Sequence, residues 1–113
     1  MIDQVHPVHL QEWIASQTFN GLAVVLDVRE TWEIETACIK VQGFELVKIP
    51  MHLITERLQE LDEDRPIAVL CHHGARSFQV AAFLKHQGFS KVVNIAGGIH
   101  AWSSQVDKSV PTY

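Results

Sequence analysis

An α/β domain built on a parallel sheet is what the sequence predicts, from three observations. Short, continuous apolar runs alternate with helical spacings along the chain. The runs lack the in–out alternation of a half-exposed strand, as expected of strands covered on both faces. The 113 residues, 47% hydrophobic and 19% charged, are enough for one core without disulfide or metal support. One domain over 1–113 follows, with no repeat, linker or low-complexity tract.

Taken in order, Leu10, Trp13 and Ile14 have the spacing of a short first helix. Asn20 and Gly21 form a turn signal before the apolar run 22–26, the first buried strand. A second run, 46–49, is stopped by Pro50. Met51, Ile54, Leu58 and Leu61 then recur at helical intervals and predict a helix. The polar segment 62–66 reads as a turn, and the run 67–70 as the next strand. Phe78, Ala81, Ala82 and Leu84 predict a helix that ends at Gly88, with Phe89 placed to pack back on it. The run 92–95 precedes Gly97 and Gly98. Strands separated by helices place helices on both faces of the sheet.

Composition excludes several classes. The apolar content is too high for a disordered chain. No apolar run approaches the roughly 18 residues of a membrane span. The start of the chain carries Asp3 and Glu12 and lacks the basic-then-apolar order of a secretory leader. Cys38 and Cys71 are too few for a disulfide scaffold and suit a reducing compartment. A cytoplasmic protein is expected. The net charge of −4 is unevenly spread: residues 1–65 hold five bases against 12 acids, whereas 66–106 hold Arg76, Lys85 and Lys91 and no acid. Four of the seven histidines, His72, His73, His86 and His100, share that second stretch. The asymmetry suggests that the second half meets an anion, yet it is too weakly basic for a nucleic-acid surface.

The segment that carries chemistry is 71–77: Cys71, His72, His73, Gly74, Ala75, Arg76 and Ser77. It lies between a buried strand and a helix, where open α/β sheets bind ligands. Successive backbone N–H groups of such a loop form an anion nest, reinforced by the helix dipole. Gly74 permits the tight turn, Arg76 adds a fixed positive charge, and His72 and His73 add more when protonated. Each of these favours thiolate over thiol and makes Cys71 a nucleophile. A strand-end cysteine alone is an inert core residue; Gly, Arg and Ser at these offsets favour the reactive reading. Adjacent histidines in a tight loop do not aim at one ion, and no CxxC or HxxxH spacing accompanies them, so no metal is assigned. Trp13, Trp32 and Trp102 read as packing residues, and His100 as surface.

Cys71, Gly74, Arg76 and Ser77 together resemble the active-site loop of rhodanese-like sulfurtransferases. Asp27 and Arg29 are similar to that family's Asp-x-Arg segment, and Gly97, Gly98 and Trp102 to its closing Gly-Gly-x-x-x-Trp motif. The tail from Val106 to Tyr113 resembles that of short bacterial members and of rhodanese domains fused to ubiquitin-like-protein-activating enzymes. The resemblance runs from about Val8 to Tyr113. It implies a five-stranded parallel sheet with helices on both faces and transfer of sulfane sulfur, from thiosulfate or a donor protein, through a persulfide on Cys71. Such chemistry requires no cofactor. A thiol or a protein is the acceptor in cells, and a partner-bound sulfur relay is the alternative within the same resemblance.

Two departures stand out. The family's Gly-His-Ile reads Ala37, Cys38, Ile39 here, and the following stretch lacks the usual Pro-Gly-Ala. Cys38 is expected to be a buried spectator rather than a resolving thiol. Asp27 and Arg29 are expected to tie the strand end to neighbouring loops. The main rival activity is that of cysteine-dependent phosphatases, which place five residues between nucleophile and arginine. Here four intervene, His72 to Ala75, a loop narrower than a tetrahedral phosphate requires, and no Asp in 66–106 offers a local general acid.

Overall fold

A computed structural model of the protein describes residues 2–17 and 21–113. Asn20, half of the expected turn before the first apolar run, lies outside the described residues, as does Met1. The strands are β1 (Asp3–Val5), β2 (Ala23–Asp27), β3 (Phe44–Lys48), β4 (Ile67–Leu70) and β5 (Val92–Ile95). The helices are α1 (Leu10–Ser16), α2 (Thr31–Thr36), α3 (Ala75–His86) and α4 (Gly98–Gln105). Among the described residues the strands form one five-stranded sheet in the order β1-β5-β4-β2-β3, parallel throughout.

Successive side chains of a strand point to opposite faces, so each buried run feeds two cores. Val24, Leu26, Ile67, Val69 and Val92 face one side, where Val80, Ala81 and Leu84 of α3 cover them. Val25, Ala68, Leu70, Val93 and Ile95 face the other, under Leu10 of α1 and Ile99 and Trp102 of α4. Burial on both faces is why the runs show no alternation. The sheet's carboxyl edge lies between the two helical layers, and β4 and β5 deliver their chain ends there side by side.

Two expectations need correction, and one strand escaped the reading of the apolar runs. The helix over 51–61 is instead two 3-10 turns, Met51–Leu53 and Leu58–Glu60, joined by a non-helical turn. Ile54 and Leu61 are buried all the same, so the apolar spacing reported the buried face and not the helix type. A 3-10 turn rises about 2.0 Å per residue against about 1.5 Å for an α-helix, so this connector covers more ground with the same residues. In α3 the buried face is Ser77, Val80, Ala81 and Leu84, while Phe78 is 42% exposed and Ala82 is exposed. A polar residue in a core position hid that stripe. Finally β1, which none of the apolar runs signalled, pairs with β5; its first two residues are exposed and it spans only Asp3–Val5.

Candidate active site

Beyond Leu70 the chain leaves the sheet and turns into α3 through Cys71, His72, His73 and Gly74. Gly74 has φ +110°, a left-handed conformation that a residue with a side chain adopts only under strain. The turn brings the Gly74 N–H to 3.0 Å from Cys71 Sγ, to which it donates. Ala75, Arg76 and Ser77 open α3, where a helix leaves its first N–H groups without internal acceptors and carries its positive dipole end. Cys71 itself is 1% exposed. The loop's carbonyls are held from the opposite side by the N-terminus of α4: Ile99 N–H donates to Cys71 O at 2.8 Å and His100 N–H to His72 O at 3.1 Å. That clamp requires glycine at 98, because a Cβ there would lie 2.4 Å from both carbonyl oxygens.

Ser77 is fully buried, with its hydroxyl 3.2 Å from Cys71 Sγ and also against Asn94 Oδ1. Asn94 projects from β5 toward α3, donating to Gln4 Oε1 at 2.9 Å and Gly74 O at 3.1 Å. One polar residue in the run 92–95 was the available sequence signal, since a buried amide must find partners.

Arg76 does not stand free over the loop. Its guanidinium makes a two-pronged pair with Glu33, Nη1 to Oε1 at 2.6 Å and Nη2 to Oε2 at 2.8 Å. Residues 66–106 hold no acid, yet a carboxylate reaches the site, because Glu33 enters from the acidic half of the sequence. Glu33 also accepts the Glu30 N–H at 3.0 Å, at the start of α2, and the Tyr113 hydroxyl at 2.8 Å. Foremost the Arg76 hydrogen bonds, opposed by burial, hold its carboxyl down at about 2, against an ordinary 4.5. Arg76 is raised in turn, chiefly by Glu33, and the charge of Cys71 contributes. The pairing of Glu30 with Glu33 at a helix start is a capping pattern visible in the sequence. Nothing in the sequence told that this carboxylate would reach Arg76.

Asp27 and Arg29 lie behind this layer, both fully buried. Arg29 pairs with Asp27 at 2.7 Å and donates to Ala37 O at 2.8 Å, Glu33 O at 3.2 Å and Tyr113 Oη at 3.0 Å. It thereby ties β2, α2, the following loop and the tail together. Cys38, next to Ala37, is half-buried rather than buried, and its thiol is free.

At the mouth, His72 is sandwiched between His73 and Tyr113, with ring centroids 3.9 Å away on each side. His100 approaches His73 at 5.1 Å, and Trp32 meets Tyr113 edge-on at 6.1 Å. Burial, then the neighbouring His73, push His72 below the usual histidine range and disfavour its charged form. Its Nε2 is buried without a hydrogen-bond partner. The positive charge foreseen from His72 is thus disfavoured, and that of Arg76 is matched by Glu33. The backbone N–H groups of the loop and of the first turn of α3 are donors available to an anion.

Residues 10–105 match the family model of the rhodanese-like domain. A sulfurtransferase of Allochromatium vinosum is 39% identical over 80 residues, covering 71% of this chain and 71% of that protein. The thiosulfate sulfurtransferase GlpE of Pseudomonas syringae is 38% identical over 80 residues, covering 71% of this chain and 72% of its own. Among solved structures, a rhodanese-related protein from Thermoplasma volcanium superposes with a TM-score of 0.74 at 29% identity, over 92% of this chain and 93% of that one. With the family matched over most of its length and its fold reproduced around the 71–77 loop, the chain belongs to the rhodanese-like family.

Proposed function

We propose that this protein is a sulfurtransferase that carries sulfane sulfur as a persulfide on Cys71, taking it from thiosulfate or a comparable donor. One observation supports this above the rest: Cys71 Sγ lies within hydrogen-bond distance of the Gly74 N–H, at the dipole-positive start of α3. In the first half-reaction the thiolate attacks the outer sulfur of thiosulfate. The donor S–S bond breaks and sulfite leaves with its electron pair. The outer persulfide sulfur is anionic, and the N–H groups of the nest are its natural partners. In the second half-reaction a nucleophile (cyanide in an assay, a thiol in a cell) attacks that sulfur, and Cys71 departs as thiolate. The sulfurtransferases among its relatives support sulfur transfer as the reaction class.

Exchange with a protein thiol instead of a small donor is the second reading. It is favoured by the exposed aromatic rim, where Trp32 is 62% exposed beside Tyr113, and by the matching of Arg76 with Glu33.

Intact mass after incubation with thiosulfate tests the proposal. The protein is expected to gain one sulfur and lose it to cyanide; Cys71→Ser is expected to do neither, and Cys38→Ser both. Loading that depends on Cys38 instead of Cys71 would overturn the assignment. Efficient hydrolysis of aryl phosphates by the unmodified protein would overturn the reaction class.

A further inference from the structure

The Ser77 hydroxyl has one proton and several acceptors: Cys71 Sγ at 3.2 Å, Gly74 O at 3.2 Å, and Asn94 Oδ1, the nearest of the three. The orientation of the Asn94 amide decides among them. Gly74 O is a backbone acceptor that already receives the Phe78 N–H at 3.1 Å, and the Asn94 atom facing it at 3.1 Å must be the Nδ2 donor. Turning the amide over would set two acceptor oxygens against each other. Oδ1 therefore faces Ser77 and accepts its proton. With that proton engaged, the Ser77 oxygen presents lone pairs to Cys71 Sγ, an arrangement that suits an S–H and not a thiolate.

We propose that Asn94 is a positioning residue for the nucleophile: it holds the Ser77 proton while Cys71 is a thiol and gives it up when Cys71 ionises. The S–H proton goes to solvent. The Ser77 O–H then rotates about its Cβ–Oγ bond and donates to Sγ, with no covalent bond made or broken at Ser77. Asn94 Oδ1 loses its partner in that state, so ionisation costs one buried hydrogen bond and gains another to a charged acceptor. Compared with a site whose Ser77 hydroxyl is free, ionisation of Cys71 is thereby less favourable. Once the outer sulfur is attached, the inner Sγ is a neutral, weak acceptor and the hydroxyl returns to Asn94. The inference accounts for three neighbouring buried groups, Cys71, Ser77 and Asn94, each no more than 2% exposed. The charge acting on Cys71 from α3 is Arg76; Glu33 from α2 pairs with it, and Tyr113 from the tail bonds Glu33 while stacking on His72.

The inference rests on Cys71 being the nucleophile, but its test needs no sulfur transfer. In a Cys38→Ser background, the rate of Cys71 alkylation by the uncharged reagent iodoacetamide is followed against pH. Asn94→Ala frees the Ser77 hydroxyl for Sγ, and the half-maximal pH is expected to fall by about one unit, a tenfold gain in rate below the midpoint. Asn94→Asp holds the hydroxyl more firmly, and the midpoint is expected to rise. Adding Ser77→Ala should abolish the shift from Asn94→Ala and reduce that from Asn94→Asp to its direct charge effect. Shifts in the same direction, no shift from Asn94→Ala, or shifts undiminished without the Ser77 hydroxyl overturn the inference. Should Asn94→Ala fail to fold, Asn94→Asp with and without the hydroxyl decides alone: a smaller shift without it supports the inference, an equal one overturns it. Failure to load sulfur from thiosulfate would defeat the proposed activity and leave this titration unaffected.

Discussion

Glu33 carries four interactions on two oxygens, one to the Glu30 N–H, two to Arg76 and one to Tyr113. Its carboxyl, held at about 2 when folded against an ordinary 4.5, binds fewer protons in the folded than in the unfolded chain. Stability from this group is therefore complete above about pH 4.5 and is lost as the pH falls through 2. The amount is on the order of 2 kcal/mol once screening on the solvent side of Arg76, about a third exposed, is discounted. Glu33→Gln is expected to flatten the acid limb of a urea-unfolding series over that window; an unchanged limb would refute the assignment. The same variant leaves Arg76 without its carboxylate. Its KM for thiosulfate is expected to fall roughly threefold to tenfold, about 1 kcal/mol of recovered attraction for the anion. Steady-state turnover with cyanide as acceptor measures it, and a KM that stays put would show that Arg76 does not address the donor.

Between elements, the decisive joint is that of α4 with the 71–74 loop. Two α4 N–H groups bind two loop carbonyls, turning those peptides so that the loop closes over Cys71. Gly98→Ala places a Cβ where those carbonyls stand, 2.4 Å away, against backbone that has no rotamer by which to yield. Sulfur loading from thiosulfate is expected to fall at least tenfold while far-UV circular dichroism keeps the α/β signature. Full loading in that variant would mean that the α4 clamp does not shape the nest. The connector over 51–61 teaches a different lesson at this scale. Apolar recurrence reports which side of a segment is buried, and 3-10 and α turns share that side over a few residues.

Across the whole molecule, two cores on opposite faces of one sheet hold the carboxyl edge in place. Leu84 is fully buried in the core between α3 and the sheet. Leu84→Ala is expected to cost about 2–5 kcal/mol in chemical denaturation, through lost burial and the cavity left behind. Sulfur loading measured well below the unfolding midpoint should persist, because Leu84 lies nearly three turns of α3 beyond Gly74. A loss below ~1 kcal/mol would show that this face is loosely packed.

Local information was sufficient for the parallel sheet, for β4 and β5 to the residue, and for the turn from Cys71 into α3. Buried strands, a glycine turn and a helix start are dictated by neighbours a few positions apart, and those neighbours are legible in the row of residues. β1 was not, because so short a strand, only its last residue buried, has no period to show. Nor could the row show that Glu33 reaches Arg76 across 43 positions, that Asn94 reaches Gly74 across 20, or that Tyr113 stacks on His72. Those contacts depend on which strand ends lie side by side and on where the tail returns, and only the assembled sheet decides that. Hence the sequence by itself determined the nucleophile loop as a candidate, while the tertiary structure decided its electrostatics: an arginine matched by a carboxylate, a histidine whose charge burial disfavours, and a hydroxyl whose proton is directed by an asparagine on the next strand.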